Sequence, residues 1–418
     1  MIEHQEAETL ALEVNPNPKP NMKGVKGQSI THCLLNFLHF IQSSLDKSKP
    51  TAVAAAFIDM SKAFNRVDHN IFVQDLFDMH CPPWLLRILM SFLKNRSLIL
   101  HYKGSKSQKK DLLGGSPQGT LLGFFVFIIK FNGALMRPPV QRPLSLKSEA
   151  CKAKYMDDSS LAVSIPLDPK IVDTFLPKDE NLLQMYIEDL ENFTKSNGMK
   201  INHKKSKVMK FSRSLKCDFP LEIEFNDNNQ CLEKIETIKL LGLMISENLK
   251  WNENTNYICK KARSKIFLLR NMKASGLSVN ELIDAYTKEV RSLLELAVPV
   301  WSSGITLEQD LKIERVQKAA LAVIFGQEYL SYDNALEKSK LKRLSVRRKQ
   351  ICVKFVTKNL KSDKPLWTQV NKKYNTRSNQ SAINEFQCRT KAFFDSGLPF
   401  LARLYNQQLK EKTKYGTP

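Results

Sequence analysis

Two carboxylates stand side by side in Lys154-Tyr155-Met156-Asp157-Asp158-Ser159-Ser160, and a third, Asp59, closes an apolar run far upstream. Clustered carboxylate oxygens are the donors that hard divalent cations take, and phosphoryl transfer by two such ions also needs an approach for phosphates. Between the two sites lies Gly114-Gly115-Ser116-Pro117-Gln118-Gly119-Thr120-Leu121-Leu122-Gly123, a Gly/Pro-rich loop opening an apolar helix. Each piece alone has a plainer reading: Asp-Asp pairs make turns, an Asp after a strand caps a helix, and Pro-Gln-Gly is a turn. The order of strand-end Asp, glycine loop and Asp-Asp hairpin is what points to nucleotidyl chemistry.

The elements that must position these residues are legible from the apolar pattern. Thr51-Ala52-Val53-Ala54-Ala55-Ala56-Phe57-Ile58 reads as a strand buried on both faces that delivers Asp59 at its end. Residues 151–156 predict a short strand with a basic face and 161–165 its return strand, with the aspartates at the tip. Because side chains alternate along a strand, only one of Asp157 and Asp158 points at a given spot. Apolar residues at helical spacing predict helices over 29–45, 69–79 and 84–93, the last two separated by Cys81-Pro82-Pro83, and over 179–197, stopped by Gly198. Residues 97–102 with Lys103-Gly104-Ser105 read as a strand and turn leading to the glycine loop, and the helix after Gly119 is apolar on nearly every side, hence expected to be buried. Beyond Trp251 the pattern is wholly helical, over 258–269, 279–296 and 311–324.

In this order the motifs resemble the palm of a reverse transcriptase of the non-LTR, LINE-like retrotransposon type. Phe57-Ile58-Asp59-Met60-Ser61-Lys62-Ala63-Phe64 looks like the first catalytic motif of that family, Ser116-Pro117-Gln118-Gly119-Thr120 like its template and nucleotide loop, and Tyr155-Met156-Asp157-Asp158 like its second catalytic motif. Asn197-Gly198-Met199-Lys200-Ile201-Asn202-His203-Lys204-Lys205-Ser206 and Leu240-Leu241-Gly242-Leu243 with Trp251 resemble the two motifs that close the palm. Five ordered motifs span roughly residues 24–326. The resemblance implies an α/β protein: a palm built as an antiparallel sheet with packed helices, then an all-helical thumb and a basic C-terminal region. The expected divisions are a flexible lead-in over 1–22, partial fingers and palm over 23–251, thumb over 252–326 and basic helical region over 327–418; the family places the helix at 29–45 beneath the palm.

The resemblance also implies roles. Asp59, Asp157 and Asp158 would hold two Mg²⁺ ions, with Mn²⁺ as the alternative, and the Met60 backbone carbonyl would complete the set. Phe64 occupies the position of the ring that excludes a 2′-hydroxyl, although an isolated Phe is more often core. Gln118 would donate to the nucleotide while Gly119 lets the backbone approach. Lys205 is either the acid that protonates departing pyrophosphate or one of several phosphate contacts with Lys204, Lys207 and Lys210. Leu241 and Gly242 stand in the position of the primer grip. The implied partners are an RNA template, a DNA primer and a deoxynucleoside triphosphate, with a separate endonuclease or fingers-containing chain supplying what is missing.

Composition agrees with a polymer-binding surface. Lys and Arg number 64 against 42 Asp and Glu, a net +22 in 418 residues. Charge alone would equally suit a ribosome-like or membrane-surface binder, but the cations are spread from Lys103 onwards, which favours a lined groove. The run at residues 338–349 could bind RNA, direct nuclear import or form a solvated helix face. Eight cysteines without a Cys-x-x-Cys pair, no secretory signal and no apolar run long enough to span a bilayer lead to an intracellular expectation, nuclear or cytoplasmic, with no membrane partner. Departures from the family are Asn65 where Asp is usual, Phe124 where Pro is usual, and Asn132-Gly133-Ala134 for Asn-Asp-Leu. Only 58 residues precede Asp59, so an N-terminally truncated enzyme lacking most of the fingers, binding primer–template but polymerising poorly or not at all, is expected; the alternative is a catalytically silent nucleic-acid-binding remnant.

Overall fold

The computed structural model describes residues 29–117, 119–132, 149–155, 158–167, 181–213, 221–226, 230–362, 365–367 and 382–415. The expected lead-in at 1–22 and, within the motifs, Gln118, Met156 and Asp157 lie outside the described residues. Two compact units divide the chain: Met1–Cys33 with Lys49–Ile235, and Leu34–Ser48 with Glu236–Pro418. Helix α1 (Ile30–Leu45) therefore begins in the first unit and belongs to the second from Leu34 onward.

In chain order the first unit holds β1 (Thr51–Ile58), α2 (His69–Asp78), α3 (Pro83–Leu93), β2 (Arg96–Leu98), β3 (His101–Tyr102), β4 (Ser105–Lys106), β5 (Lys110–Leu112), α4 (Leu121–Asn132), β6 (Ala150–Tyr155), β7 (Asp158–Pro166), α5 (Leu182–Ser196), β8 (Lys207–Phe211), β9 (Glu224–Phe225), β10 (Gln230–Cys231) and β11 (Glu233–Lys234). Five strands form one sheet in the order β11-β8-β1-β7-β6, antiparallel throughout except for the β11-β8 pair. The run of alanines makes β1 the central strand. Small side chains let helices approach closely, and Ala54, Ala56 and Ile58 join Leu161, Val163 and Val208 in a core completed by Phe127 and Phe131 of α4 and Leu183, Ile187 and Leu190 of α5.

Local signals start and stop these helices. The Asp68 carboxylate accepts from the backbone N–H groups of Asn70 and Ile71, at 2.8 and 3.1 Å, and so caps α2. Gly198, at φ +65°, ends α5: its N–H donates to Lys195 O at 3.2 Å and that of Met199 to Thr194 O at 2.8 Å, the paired closure that a left-handed residue permits. The helix after the glycine loop is less buried than its composition suggested. Val126 to Phe131 are buried, but Leu121 is 53% exposed, because the first turn carries the loop while only the later turns reach the sheet.

The second unit contains β12 (Thr237–Leu240), β13 (Leu243–Ser246), α6 (Asn252–Ala274), α7 (Val279–Ala285), α8 (Leu307–Phe325), α9 (Tyr332–Ser339), α10 (Leu344–Asn359) and α11 (Gly397–Tyr415), with α1 from Leu34. The helix expected over 279–296 is interrupted: α7 gives way to a widened π-helical turn, Tyr286–Arg291, at a fully buried tyrosine whose hydroxyl donates to Gln317 Oε1 at 2.6 Å. Asp46, just past α1, accepts from Arg389 N at 2.8 Å and from Thr390 N at 2.9 Å, tying the start of the unit to its end. Within the basic run at 338–349, Lys340, Lys342 and Lys349 are exposed, while other cations are paired inside the unit. Lys338 pairs with Glu328, Arg343 with Asp333, Arg347 with Glu295, and the buried Arg348 with Asp310. Among the described residues no helix is long and apolar enough to cross a membrane.

Candidate active site

Strand register sets the corner where the carboxylates meet. β1 pairs with β7 so that Ile58 faces Ser159, and the same antiparallel register carried one step further sets Asp59 beside Asp158. The β6-β7 ladder ends with Tyr155 opposite Asp158, and Met156 and Asp157, outside the described residues, fall between them in the chain. The return strand thus begins at Asp158, three residues before the expected Leu161, and Asp158 is exposed at its first position. On the other side of β1, the ladder to β8 ends where Phe57 faces Lys207, and Lys205 sits in the turn just before that strand, its ammonium beside the Asp59 carboxylate. Asp59 therefore stands between two neighbours at one end of the sheet.

The fourth motif forms the seat under Asp59. Its N–H donates to the buried Ser206 Oγ at 3.2 Å, its carbonyl accepts from Asn202 N at 2.8 Å, Met60 bridges Ile201, and Ser61 N donates to Lys200 O at 2.8 Å. These bonds fix the backbone on both sides of the carboxylate, so its direction does not depend on the side chain's own contacts. Lys205 Nζ lies 3.9 Å from Asp59 Oδ2 and is 71% exposed. Such an exposed pair contributes little, so the lysine can leave the carboxylate at small cost.

The glycine loop docks against the turn that follows Asp59. Gly115 N donates to Val67 O at 2.8 Å, Ser116 N to Phe64 O at 2.7 Å, and His69 Nε2 lies 2.8 Å from Gly115 O. Gly115 has φ +87°, and a Cβ there would sit 3.1 Å from the Asn65 Cα and carbonyl oxygen, so the loop comes this close only as glycine. Gly123 fits under the loop for the same reason: a Cβ would meet Pro117 O at 2.0 Å, and Ser116 Oγ donates to Gly123 O at 2.6 Å. Gly119, at φ +83°, has open space where a Cβ would be. Phe64 is half-buried and stacks on the fully buried Phe127, centroids 4.2 Å apart and planes at 22°; Phe127 stacks in turn on Phe131 at 5.6 Å.

The basic face expected on β6 points inward. Lys152 Nζ lies over the Tyr186 ring at 4.4 Å, and Lys154, 6% exposed, donates to Phe131 O at 3.3 Å near the C-terminal end of α4. Burial, with the charge of Lys152 as the smaller cause, lowers the Lys154 pKa to about 7. One aromatic file, Phe64, Phe127 and Phe131, thus runs from the turn after Asp59 to the strand that carries the Asp-Asp hairpin. Sequence reasoning missed Lys154, Phe127, His69 and Ser206. The signal for Lys154 was its place at every second residue of a strand that must cover a core.

Asp59, Met60, Phe64, Gly119, Asp158 and Lys205 are described and lie in the first unit, whereas Asp157 and Gln118 lie outside the described residues. Leu241 and Gly242 belong to the second unit, where they form the two-residue turn between β12 and β13. Their φ values of 47° and 92° are those of a type I′ hairpin turn. Among the described residues no group of three or more His, Cys, Asp or Glu side chains could hold a metal ion. The two described carboxylates at the sheet end are all-oxygen donors, the chemistry a hard divalent cation takes.

A family model described as reverse transcriptase (RNA-dependent DNA polymerase) matches residues 9–245. The chain belongs to the reverse transcriptase family. Its sequence is 24% identical over 290 residues to a probable RNA-directed DNA polymerase from transposon BS of Drosophila melanogaster, covering 68% of this chain and 30% of that protein. It is 23% identical over 321 residues to the RNA-directed DNA polymerase from mobile element jockey of the same species, covering 74% of this chain and 32% of that one. The chain thus spans under a third of the length of these curated relatives, which are polymerases of mobile elements, as the resemblance to LINE-like reverse transcriptases implied. Among solved structures, a telomerase from Candida tropicalis in complex with a telomeric RNA fragment aligns with 98% of this chain and 56% of its own, at 12% identity and TM-score 0.43. The telomerase from Candida albicans with such an RNA fragment aligns with 78% of this chain and 50% of its own, at 13% identity and TM-score 0.34. The matched span covers the five-stranded sheet, the glycine loop and the strands on either side of Asp157 and Asp158.

Proposed function

We infer that this chain is an RNA-directed DNA polymerase, in which a primer 3′-hydroxyl attacks the α-phosphate of a deoxynucleoside triphosphate opposite an RNA template. The observation that carries the reading is the strand register that brings Asp59 and Asp158 to one end of adjacent strands in a reverse transcriptase domain. In this reading Asp59 and Asp158, with Asp157 and the Met60 carbonyl, would hold two divalent ions, Mg²⁺ or Mn²⁺. Such ions, when bound, lower the pKa of the attacking hydroxyl and offset charge on the leaving pyrophosphate.

The chain's own residues supply position. The Asn202 and Ser206 bonds hold the Asp59 backbone, so the carboxylate need not reorganise as substrate binds. Phe64, backed by Phe127, stands where a 2′-hydroxyl would clash, and the open face of Gly119, with its chain neighbour Gln118, receives the nucleotide. Lys205, exposed near Asp59, meets the pyrophosphate as an acid or a phosphate contact. The 3′-oxygen to phosphorus bond forms as the bond to pyrophosphate breaks, and the hydroxyl proton passes to solvent water. We assign the palm to the first unit, and the thumb, the primer grip at Leu241-Gly242 and the C-terminal region to the second.

The test is primer extension on matched RNA and DNA templates with deoxyribonucleotides and with ribonucleotides. RNA-templated incorporation of deoxyribonucleotides supports the reading. Incorporation of ribonucleotides alone, or extension on neither template, overturns it.

A further inference from the structure

Between α3 and the glycine loop the chain leaves the body of the first unit as a ribbon. Arg96, Ser97 and Leu98 pair with Leu112, Asp111 and Lys110, and farther out His101 and Tyr102 pair with Lys106 and Ser105. Lys103 and Gly104, at φ 45° and 83°, make the tight turn at the tip. Two residues on the outgoing strand face three on the returning one between these ladders, a bulge that sharpens the ribbon's twist. Every residue from 97 to 113 is exposed.

A two-stranded ribbon with no layer over it is marginal by itself, and a solvated loop has no need of large apolar side chains. This one carries Leu98, Leu100 and Tyr102 at alternate positions, 52, 61 and 67% exposed, with Leu113 at 93%. Lys103, Lys106, Lys109 and Lys110 against Asp111 leave the exposed stretch at +3. Its root is continuous with the candidate site, since Leu113 leads directly into Gly115 and Ser116, whose N–H groups bond the turn carrying Phe64. A second copy of the ribbon is a poor occupant, because like charges would lie side by side.

We propose that the ribbon at residues 96–113 is a nucleic-acid-binding arm. Its lysines take backbone phosphates, and the row Leu98, Leu100 and Tyr102 lies against sugars and bases of the strand entering or leaving the nucleotide site. The inference rests on the polymerase reading for its ligand, a primer–template, but not for its test.

The test is fluorescence anisotropy with a labelled RNA–DNA primer–template across a salt series. It compares the parent chain, a Lys103→Gln/Lys106→Gln/Lys109→Gln/Lys110→Gln variant, and a Leu98→Ser/Leu100→Ser/Tyr102→Ser variant. All changed residues are exposed, so thermal melts should match the parent and report folding directly. The lysine variant should bind about tenfold or more weakly, and its log–log salt slope should drop by up to about 0.9 for each phosphate it no longer neutralises. The apolar variant should lose affinity with the slope kept. Parent-like binding by both variants overturns the arm, while the parent's own extension reports separately on the polymerase reading. Parent-like binding together with loss of a dimer in sedimentation also overturns it, in favour of a self-association surface.

Discussion

Replacing Lys154 with methionine separates two effects of one buried ammonium. Lys154 is 6% exposed, and its pKa is lowered to about 7 from an ordinary 10.5. The folded chain therefore binds fewer protons at this site than the unfolded chain between those values, so stability rises with pH across that window. Below about pH 7 both states are protonated and the full burial penalty is present. At about 1.36 kcal/mol per pH unit, that penalty is of order 5 kcal/mol at pH 6 and about 2 kcal/mol at pH 9, before the hydrogen bond to Phe131 is set against it. Methionine keeps an unbranched stem and removes the charge. Lys154→Met should thus stabilise the first unit by about 3 kcal/mol more at pH 6 than at pH 9, with about 2–4 °C in Tm for each kcal/mol in a unit of this size. The same change cuts the tether between the hairpin strand and the end of α4, so nucleotide incorporation should fall while primer–template binding holds. Thermal unfolding followed by circular dichroism at the two pH values, with single-nucleotide incorporation alongside, reads both effects. An equal change in stability at pH 6 and pH 9 would refute the reasoning, because only a lysine that titrates in the folded state makes the two differ.

Phe64→Ala should raise ribonucleotide over deoxyribonucleotide incorporation by roughly tenfold to a hundredfold, and Phe127→Leu should move selectivity the same way by less; competition assays with both nucleotides would show it. Gly115→Ala should destabilise the first unit by about 1–3 kcal/mol in chemical denaturation, since its left-handed backbone and the close approach to Asn65 both resist a methyl group. Asp46→Ala should lower the melting temperature of the second unit, because it removes the buried carboxylate that accepts from Arg389 N and Thr390 N, each part-buried bond contributing about 1 kcal/mol. A melt unchanged from the parent would show that this tie is not structural.

Where a feature depends on neighbours in sequence, it was legible. The run at Thr51–Ile58 is β1 to the residue, and Asp59 stands at its end because continuous burial on both faces explains seven apolar residues in a row after Thr51. The stop at Gly198 was legible for the same local reason. Features that depend on distant partners were not. Alternation in Cys151-Lys152-Ala153-Lys154 marks a lysine face, but its inward direction is set by Phe131 and Tyr186, on helices that sequence alone does not place. Which cations of the basic run at 338–349 are paired was not legible, because Glu295 and Asp310, which take up Arg347 and Arg348, lie 52 and 38 residues away. The compact division at Ile235 falls ahead of the change from mixed to helical pattern at Trp251, because the β12-β13 hairpin packs with the helices; Met244 N donates to Asn254 Oδ1 at 3.1 Å.

Single-turnover incorporation by Asp59→Asn, at saturating primer–template with Mg²⁺ and again with Mn²⁺, tests the central claim most directly. Asparagine keeps the shape and the Asn202 and Ser206 backbone bonds but removes the charge that the sheet end presents. The expected result is incorporation by the parent chain, a loss on the order of a hundredfold or more in the variant, and primer–template affinity within about twofold of the parent. Incorporation by Asp59→Asn at the parent rate, or none by the parent with either ion, would contradict it.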